Sequence, residues 1–129
     1  MIGIFDSGSG GLTVLFALRR LAPAADLVYF GDIANAPYGE KSKEELGRLV
    51  AQGVGILQKH GAEEIVSACN SVSTSFLEGA AGHNRVIEMT RPTARMMRQI
   101  AGERVLLLAT QATVSSGIYR AALDPIVSL

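Results

Sequence analysis

Apolar residues along this chain fall into two kinds of run that alternate: short blocks of four or five, and longer stretches where they recur every third or fourth position. Residues 1–5 (Met-Ile-Gly-Ile-Phe) read as a buried strand, stopped by Asp6-Ser7-Gly8-Ser9-Gly10-Gly11. Leu12, Leu15, Leu18 and Leu21 then return at three-residue steps before Pro23, the spacing of a helix with one apolar face turned to a sheet. A second strand is predicted over 27–30, ended by Gly31-Asp32. Beyond the loop Ala36-Pro37-Tyr38-Gly39, Ser42 and Glu45 make a capping-box pattern, and the helix that follows carries Leu46, Leu49, Val50, Val54 and Leu57 as far as Gly61. The pattern continues with strands over 65–68, 86–89 and 105–109. Helices are predicted over 70–81, 93–100 and 115–123, the second of these between Pro92 and Gly102. Strict alternation implies an α/β fold: a doubly wound parallel sheet, joined by right-handed crossovers, with helices on both faces.

Composition bounds the setting. With 129 residues, 48% of them hydrophobic, the chain can close about one core of ordinary size. Acidic and basic residues balance at 12 each, so no field draws it to nucleic acid or to an anionic membrane. No apolar run approaches the ~20 residues needed to span a bilayer. The one cysteine excludes an internal disulfide, and Met1 leads into the first strand with no basic flank or signal-length apolar stretch, so the cytoplasm is the expected compartment. The last six residues, Asp124-Pro125-Ile126-Val127-Ser128-Leu129, read either as a chain interrupted inside a larger fold or as an ordinary frayed terminus.

Candidate chemistry gathers where strands run into helices, the edge at which open α/β sheets place their ligands. Cys69 lies between the apolar run ending at Ala68 and the polar, helix-capping Asn70-Ser71. At a helix N-terminus a thiol meets the positive end of the helix dipole, which favours the thiolate; the alternative is a small buried hydrophobe. Asp6-Ser7 open a glycine-rich turn whose amides suit an anion. That turn is neither a dinucleotide fingerprint nor a P-loop: counted from Gly8, the third glycine falls on Thr13, and no Gly-Lys-Ser/Thr follows. Helix capping by Asp6 and Ser7 is the competing explanation. Tyr38 and Gly39 sit in a proline-stiffened loop that could wall a pocket, and Thr113 and Ser115 bring hydroxyls to the entry of the last helix. His60 and His83 have no partner at metal-ligand spacing and read as surface residues, so no metal is expected.

Taken together, Asp6-Ser7-Gly8-x-Gly10-Gly11, Tyr29-Phe30-Gly31-Asp32, Pro37-Tyr38-Gly39, Ala68-Cys69-Asn70-Ser71 and Ala109-Thr110-x-x-Thr113 resemble, in order and approximate spacing, the glutamate racemases of the aspartate/glutamate racemase superfamily. The resemblance runs from Met1 to about Tyr119. It implies a flavodoxin-like lobe and cofactor-independent interconversion of L- and D-glutamate by two cysteines on opposite sides of the substrate, supplying D-glutamate for peptidoglycan synthesis. Cys69 would be one of that pair, with Asp6 close by to set its protonation. Ser7, Asn70 and Ser71 would hold the charged groups of the glutamate, Tyr38 and Gly39 would line the pocket, and Thr113 would add a hydroxyl.

Three departures stand out. Ser71 replaces the family's usual threonine, and Glu88 stands where the family generally has glycine, adding a carboxylate near a segment expected to approach the site. The family's Gly-Cys-Thr-His motif, and with it the second cysteine, is absent. Residues 1–95 therefore map onto a first racemase lobe. Residues 96–129 map onto the start of a second, unless their strand joins the first sheet as a fifth βα unit. On this expectation the chain holds half a catalytic site and is inactive alone. A homodimer would bring two Cys69 thiols together only if both turns faced one shared pocket. The alternative is a stand-alone module that binds a small acid or nucleotide without chemistry.

Overall fold

The computed structural model describes residues 1–72, 82, 85–100 and 105–123. Four strands, β1 (Ile2–Asp6), β2 (Leu27–Gly31), β3 (Glu64–Ser67) and β4 (Arg85–Glu88), form one parallel sheet in the order β2-β1-β3-β4. Between them run α1 (Leu12–Leu21) and α2 (Lys43–Lys59); α3 (Thr90–Ile100), α4 (Gln111–Ser116) and α5 (Ile118–Leu123) follow. From β1 the chain crosses through α1 to β2 on one side, then returns through α2 past β1 to β3 on the other. With the right-handed crossovers that parallel strands adopt, the reversal puts α1 and α2 on opposite faces. The doubly wound α/β fold is thus present.

Side-chain alternation explains how the α2 face closes. Phe5 stacks on Phe30 with ring centroids 6.1 Å apart and meets the Tyr38 ring at 6.3 Å. Leu46, Leu49, Val50, Val54 and Leu57 of α2 are buried with them. Glycine is required where the helix crosses the aromatic pair: a Cβ on Gly53 would lie 2.4 Å from Phe5 Cε2 and 2.8 Å from Phe30 Cε1. The expected capping box holds. Ser42 Oγ accepts the Glu45 N–H at 3.2 Å, and the Glu45 carboxylate accepts the Ser42 N–H at 3.1 Å, which keeps that carboxyl below its ordinary pKa. The expected burial of α1 fails, since none of its residues is buried and Phe16 and Leu21 are exposed.

Other boundaries need correcting. Residues 105–109 are not a strand. They carry no regular structure and pair with no described strand, so Leu106 and Leu108 stand 82% and 86% exposed, and among the described residues the sheet has four strands. The helix predicted over 115–123 is two short helices, broken at Gly117, whose positive φ of 65° ends α4. Helix α3 begins at Thr90 rather than residue 93, because Pro92 fits a first turn, where its missing N–H costs no hydrogen bond. Of the helix predicted over 70–81, Asn70 and Ser71 form a turn and 73–81 lie outside the described residues, as do His83 and residues 124–129.

Two glycines of α2 separate packing from propensity. A Cβ on Gly55 would meet nothing within 4 Å. Gly53→Ala should therefore destabilise the fold by about 1–3 kcal/mol through overpacking. Gly55→Ala should stabilise it by roughly 0.5–1 kcal/mol through helix propensity. Urea unfolding followed by circular dichroism measures both; a Gly53→Ala variant as stable as the parent would contradict the packing described.

Candidate active site

In a sheet ordered β2-β1-β3-β4 the winding reverses between β1 and β3, so the loops leaving these two strands diverge and open a crevice at their carboxyl ends. The first carries Asp6 and Ser7; the second carries Cys69, Asn70 and Ser71. Backbone bonds hold both loops in place. Ala68 N–H donates to the Phe5 carbonyl at 2.8 Å, and Asp32 N–H to the Asp6 carbonyl at 3.0 Å.

The glycine-rich turn is organised from within. Asp6, itself buried, accepts the N–H groups of Gly8 at 3.2 Å and Gly11 at 2.9 Å on its Oδ2. Of the two explanations open for that turn, a ligand anion or capping by Asp6 and Ser7, neither holds in full: the Asp6 carboxylate takes two of the amides and ties down the turn that leads into α1, whose N-cap is Gly11. Gly11 must lack a side chain for this, since its Cβ would fall 2.7 Å from Asp6 Cβ and 2.9 Å from Ala68 Cβ. Tyr29, one of the quoted Tyr-Phe-Gly-Asp residues but not foreseen as part of the site, donates its hydroxyl to the Gly8 carbonyl at 2.6 Å and lies 3.4 Å from Asp6 Oδ2. Period-two alternation on β2, in register with Ile4 and Asp6 of β1, was the signal that could have placed it on that face.

Cys69 is 6% exposed, and its thiol donates to Ser7 Oγ at 3.3 Å. Burial pushes the thiol pKa up. Hydrogen bonds from the Ser7 hydroxyl and the Ser71 amide pull against that rise, the Asp6 charge adds to it, and the Ser7 amide opposes it again. Desolvation outweighs these donors, so the thiol's pKa stands above its ordinary value; the helix expected to lower it lies, from residue 73, outside the described residues. The site rests as a neutral thiol, with a hydroxyl and two amides ready to receive the charge if the proton leaves.

On the far side of the Cys69 turn, the segment around α4 closes a ring of hydroxyls. Thr113, fully buried, donates to the Asn70 carbonyl at 2.9 Å, and Tyr119 donates to Asn70 Oδ1 at 2.5 Å. Thr110 caps α4 through the Thr113 N–H at 3.4 Å and stands 2.9 Å from Ser71 Oγ and 3.0 Å from Thr113 Oγ1. The cap is thus Thr110, ahead of Thr113 and Ser115. Neither Thr110 nor Tyr119 was foreseen as a site residue, although the Thr110-x-x-Thr113 spacing was visible.

Tyr38 is in the core, 1% exposed, and its hydroxyl donates to Asp32 Oδ2 at 2.7 Å; burial first, then that bond, raise its pKa. Gly39 lies flat against Thr110, where a Cβ would come within 2.7 Å of Thr110 Cβ. These contacts tie the Pro37-Tyr38-Gly39 turn to the hydroxyl ring. Glu88 folds back on its own chain: its carboxylate accepts the Thr90 N–H at 2.5 Å and the Arg91 N–H at 3.1 Å, capping α3. Among the described residues no three His, Cys, Asp or Glu side chains gather as a metal site, and no helix is long and apolar enough to cross a membrane.

No family profile matches the chain. Its sequence is 44% identical over 125 residues to the glutamate racemase of Thermus thermophilus, covering 95% of this chain and 48% of that protein. Its fold superposes on the glutamate racemase of Aquifex pyrophilus with a TM-score of 0.89 at 36% identity, covering 95% of this chain and 50% of the other. For the glutamate racemase of Francisella tularensis, solved in complex with D-glutamate, the TM-score is 0.88 at 32% identity, with 98% and 50% covered. The chain spans about half the length of the curated relatives it matches. In sequence and in fold, it resembles the amino-terminal portion of the glutamate racemases.

Proposed function

We propose that this chain supplies one face of a glutamate racemase site, with Cys69 as the single acid–base thiol. The observation that carries the reading is the Cys69 thiol held 3.3 Å from Ser7 Oγ, where the sheet reverses its winding. Racemisation removes the α-proton from one side of the amino acid and returns a proton to the other, so each thiol serves one side. Half the length of the matched relatives lies outside this chain, and the second thiol is assigned there. On the same reading, residues 1–95 are the first lobe and 96–129 begin the second.

Each named residue then has a task. A neutral Cys69 gives its proton to the α-carbon on its side. In the reverse direction it takes one, the thiolate being held by the Ser7 hydroxyl and by the Ser7 and Ser71 amides. An α-ammonium brought beside the sulfur favours that ionisation. Asp6 shapes the loop. Because Tyr119 occupies Asn70 Oδ1, the Asn70 side chain has its Nδ2 amide to offer, a donor suited to a carboxylate. Asn70, Ser71 and Ser7 hold the charged groups of glutamate, where donors also stabilise the charge that builds on the carboxylate as the α-carbon loses its proton. Thr113 braces the Asn70 backbone, and Tyr38 and Gly39 support the wall behind Thr110. In the whole enzyme the product is D-glutamate for peptidoglycan synthesis.

Proton NMR of D- and L-glutamate in deuterated buffer tests this. One enantiomer is expected to exchange its α-proton for deuterium with neither enantiomer racemised, since the chain alone lacks the second thiol, and Cys69→Ser to abolish the exchange. Exchange that survives the substitution would overturn the reading. A second variant weighs the hydroxyl ring: Thr113→Val, which leaves the Asn70 carbonyl without its donor, should slow the exchange by about tenfold, in line with one hydrogen bond of roughly 1–1.5 kcal/mol. An unchanged rate would remove Thr113 from the site.

A further inference from the structure

We propose that Tyr29 is a positioning residue, which clamps the Asp6-Ser7-Gly8 segment against the Cys69 thiol through the Gly8 carbonyl, without touching sulfur or substrate. Both polar groups of Gly8 are engaged. Its N–H goes to Asp6 Oδ2 at 3.2 Å, and its carbonyl receives the Tyr29 hydroxyl at 2.6 Å. With Gly8 held at both ends, the preceding residue has little freedom, and Ser7 Oγ stays 3.3 Å from Cys69 Sγ.

The clamp depends on a close approach that the sequence permits at one point. Gly31, two residues beyond Tyr29 on the same strand, sits directly under the loop: a Cβ there would lie 2.2 Å from the Gly8 carbonyl oxygen and 3.2 Å from the Tyr29 hydroxyl. Tyr29 also remains a donor throughout the neutral range, because burial and then the Asp6 charge push its pKa up to about 12. Among the described residues the titratable groups facing the thiol are Asp6 from β1, Tyr29 from β2 and Tyr38 from the following loop. Of these, Tyr29 alone reaches the segment carrying Ser7 through one removable atom, its hydroxyl standing 2.6 Å from the Gly8 carbonyl and 3.4 Å from Asp6 Oδ2.

The role in proton transfer rests on the racemase reading, but the test does not, since Cys69 is the sole thiol and labels without substrate. Alkylation of the intact chain by iodoacetamide is followed against pH, with melting temperature recorded for each variant. Tyr29→Phe should release Ser7, raise the labelling midpoint and slow labelling near neutral pH by roughly three- to tenfold, the range expected when a thiolate loses a hydroxyl donor. Combined with Ser7→Ala it should slow labelling no further than Ser7→Ala alone, because both act through one path. Gly31→Ala, which leaves the tyrosine in place but displaces Gly8, should move the midpoint in the same direction. A Tyr29→Phe midpoint equal to the parent's, with or without a lower melting temperature, would overturn the proposal. So would effects of Tyr29→Phe and Ser7→Ala that multiply, or a Gly31→Ala variant that labels like the parent. None of these results bears on glutamate exchange, which judges the racemase reading separately.

Discussion

A single carboxylate decides the shape of the sheet's carboxyl edge. Asp6 ends β1 buried, an unfavourable place for a charge unless hydrogen bonds replace water. It finds them in the Gly8 and Gly11 amides, and meeting that need winds the loop tightly and starts α1. The winding sets Ser7 facing β3. Without it, the Cys69 turn would face an open chain end with no hydroxyl beside its sulfur. The glycines are the steric condition for this: Gly11 admits the Asp6 side chain, and Gly31 admits the loop onto β2.

The same carboxylate works against a charged thiol, and the balance at Cys69 follows from that opposition. Burial and the Asp6 charge favour the neutral sulfur, while the Ser7 hydroxyl and the Ser7 and Ser71 amides favour the thiolate. On the proposed reading, the α-ammonium of glutamate entering the crevice would tip this balance toward the thiolate. That behaviour suits a residue that must both give and take a proton, and it differs from a nucleophile kept permanently ionised.

Much of this was legible in the sequence because the governing patterns are local. The four strands, the capping box at Ser42 and Glu45, and the cluster of strand-end motifs all rest on near neighbours. What sequence reasoning missed depends on burial and on distant partners. Residues 105–109 have every local mark of a strand, yet a strand needs a ladder partner, and the described sheet ends at β4. The amides of the glycine turn look free to bind an anion until Asp6 is seen to occupy them. A thiol ahead of a helix cap promises a lowered pKa, whereas burial, which no local pattern reveals, pushes it up. Tyr29 and Tyr119 meet their partners across 21 and 49 residues of sequence: alternation along β2 marks the face Tyr29 shares with Ile4 and Asp6, but no local pattern names Gly8 or Asn70 as the partner.

The central claim is that the Asp6-anchored crevice presents a neutral thiol at rest. Its most direct measurement is a pH titration of the unsubstituted chain with carbon-13 at the Cys69 Cβ, read by NMR, which reports the ionisation of this one sulfur. The account predicts an inflection above the free-cysteine value of ~8.5. An inflection below about 7, as for thiols activated by a neighbouring cation or helix terminus, would contradict it.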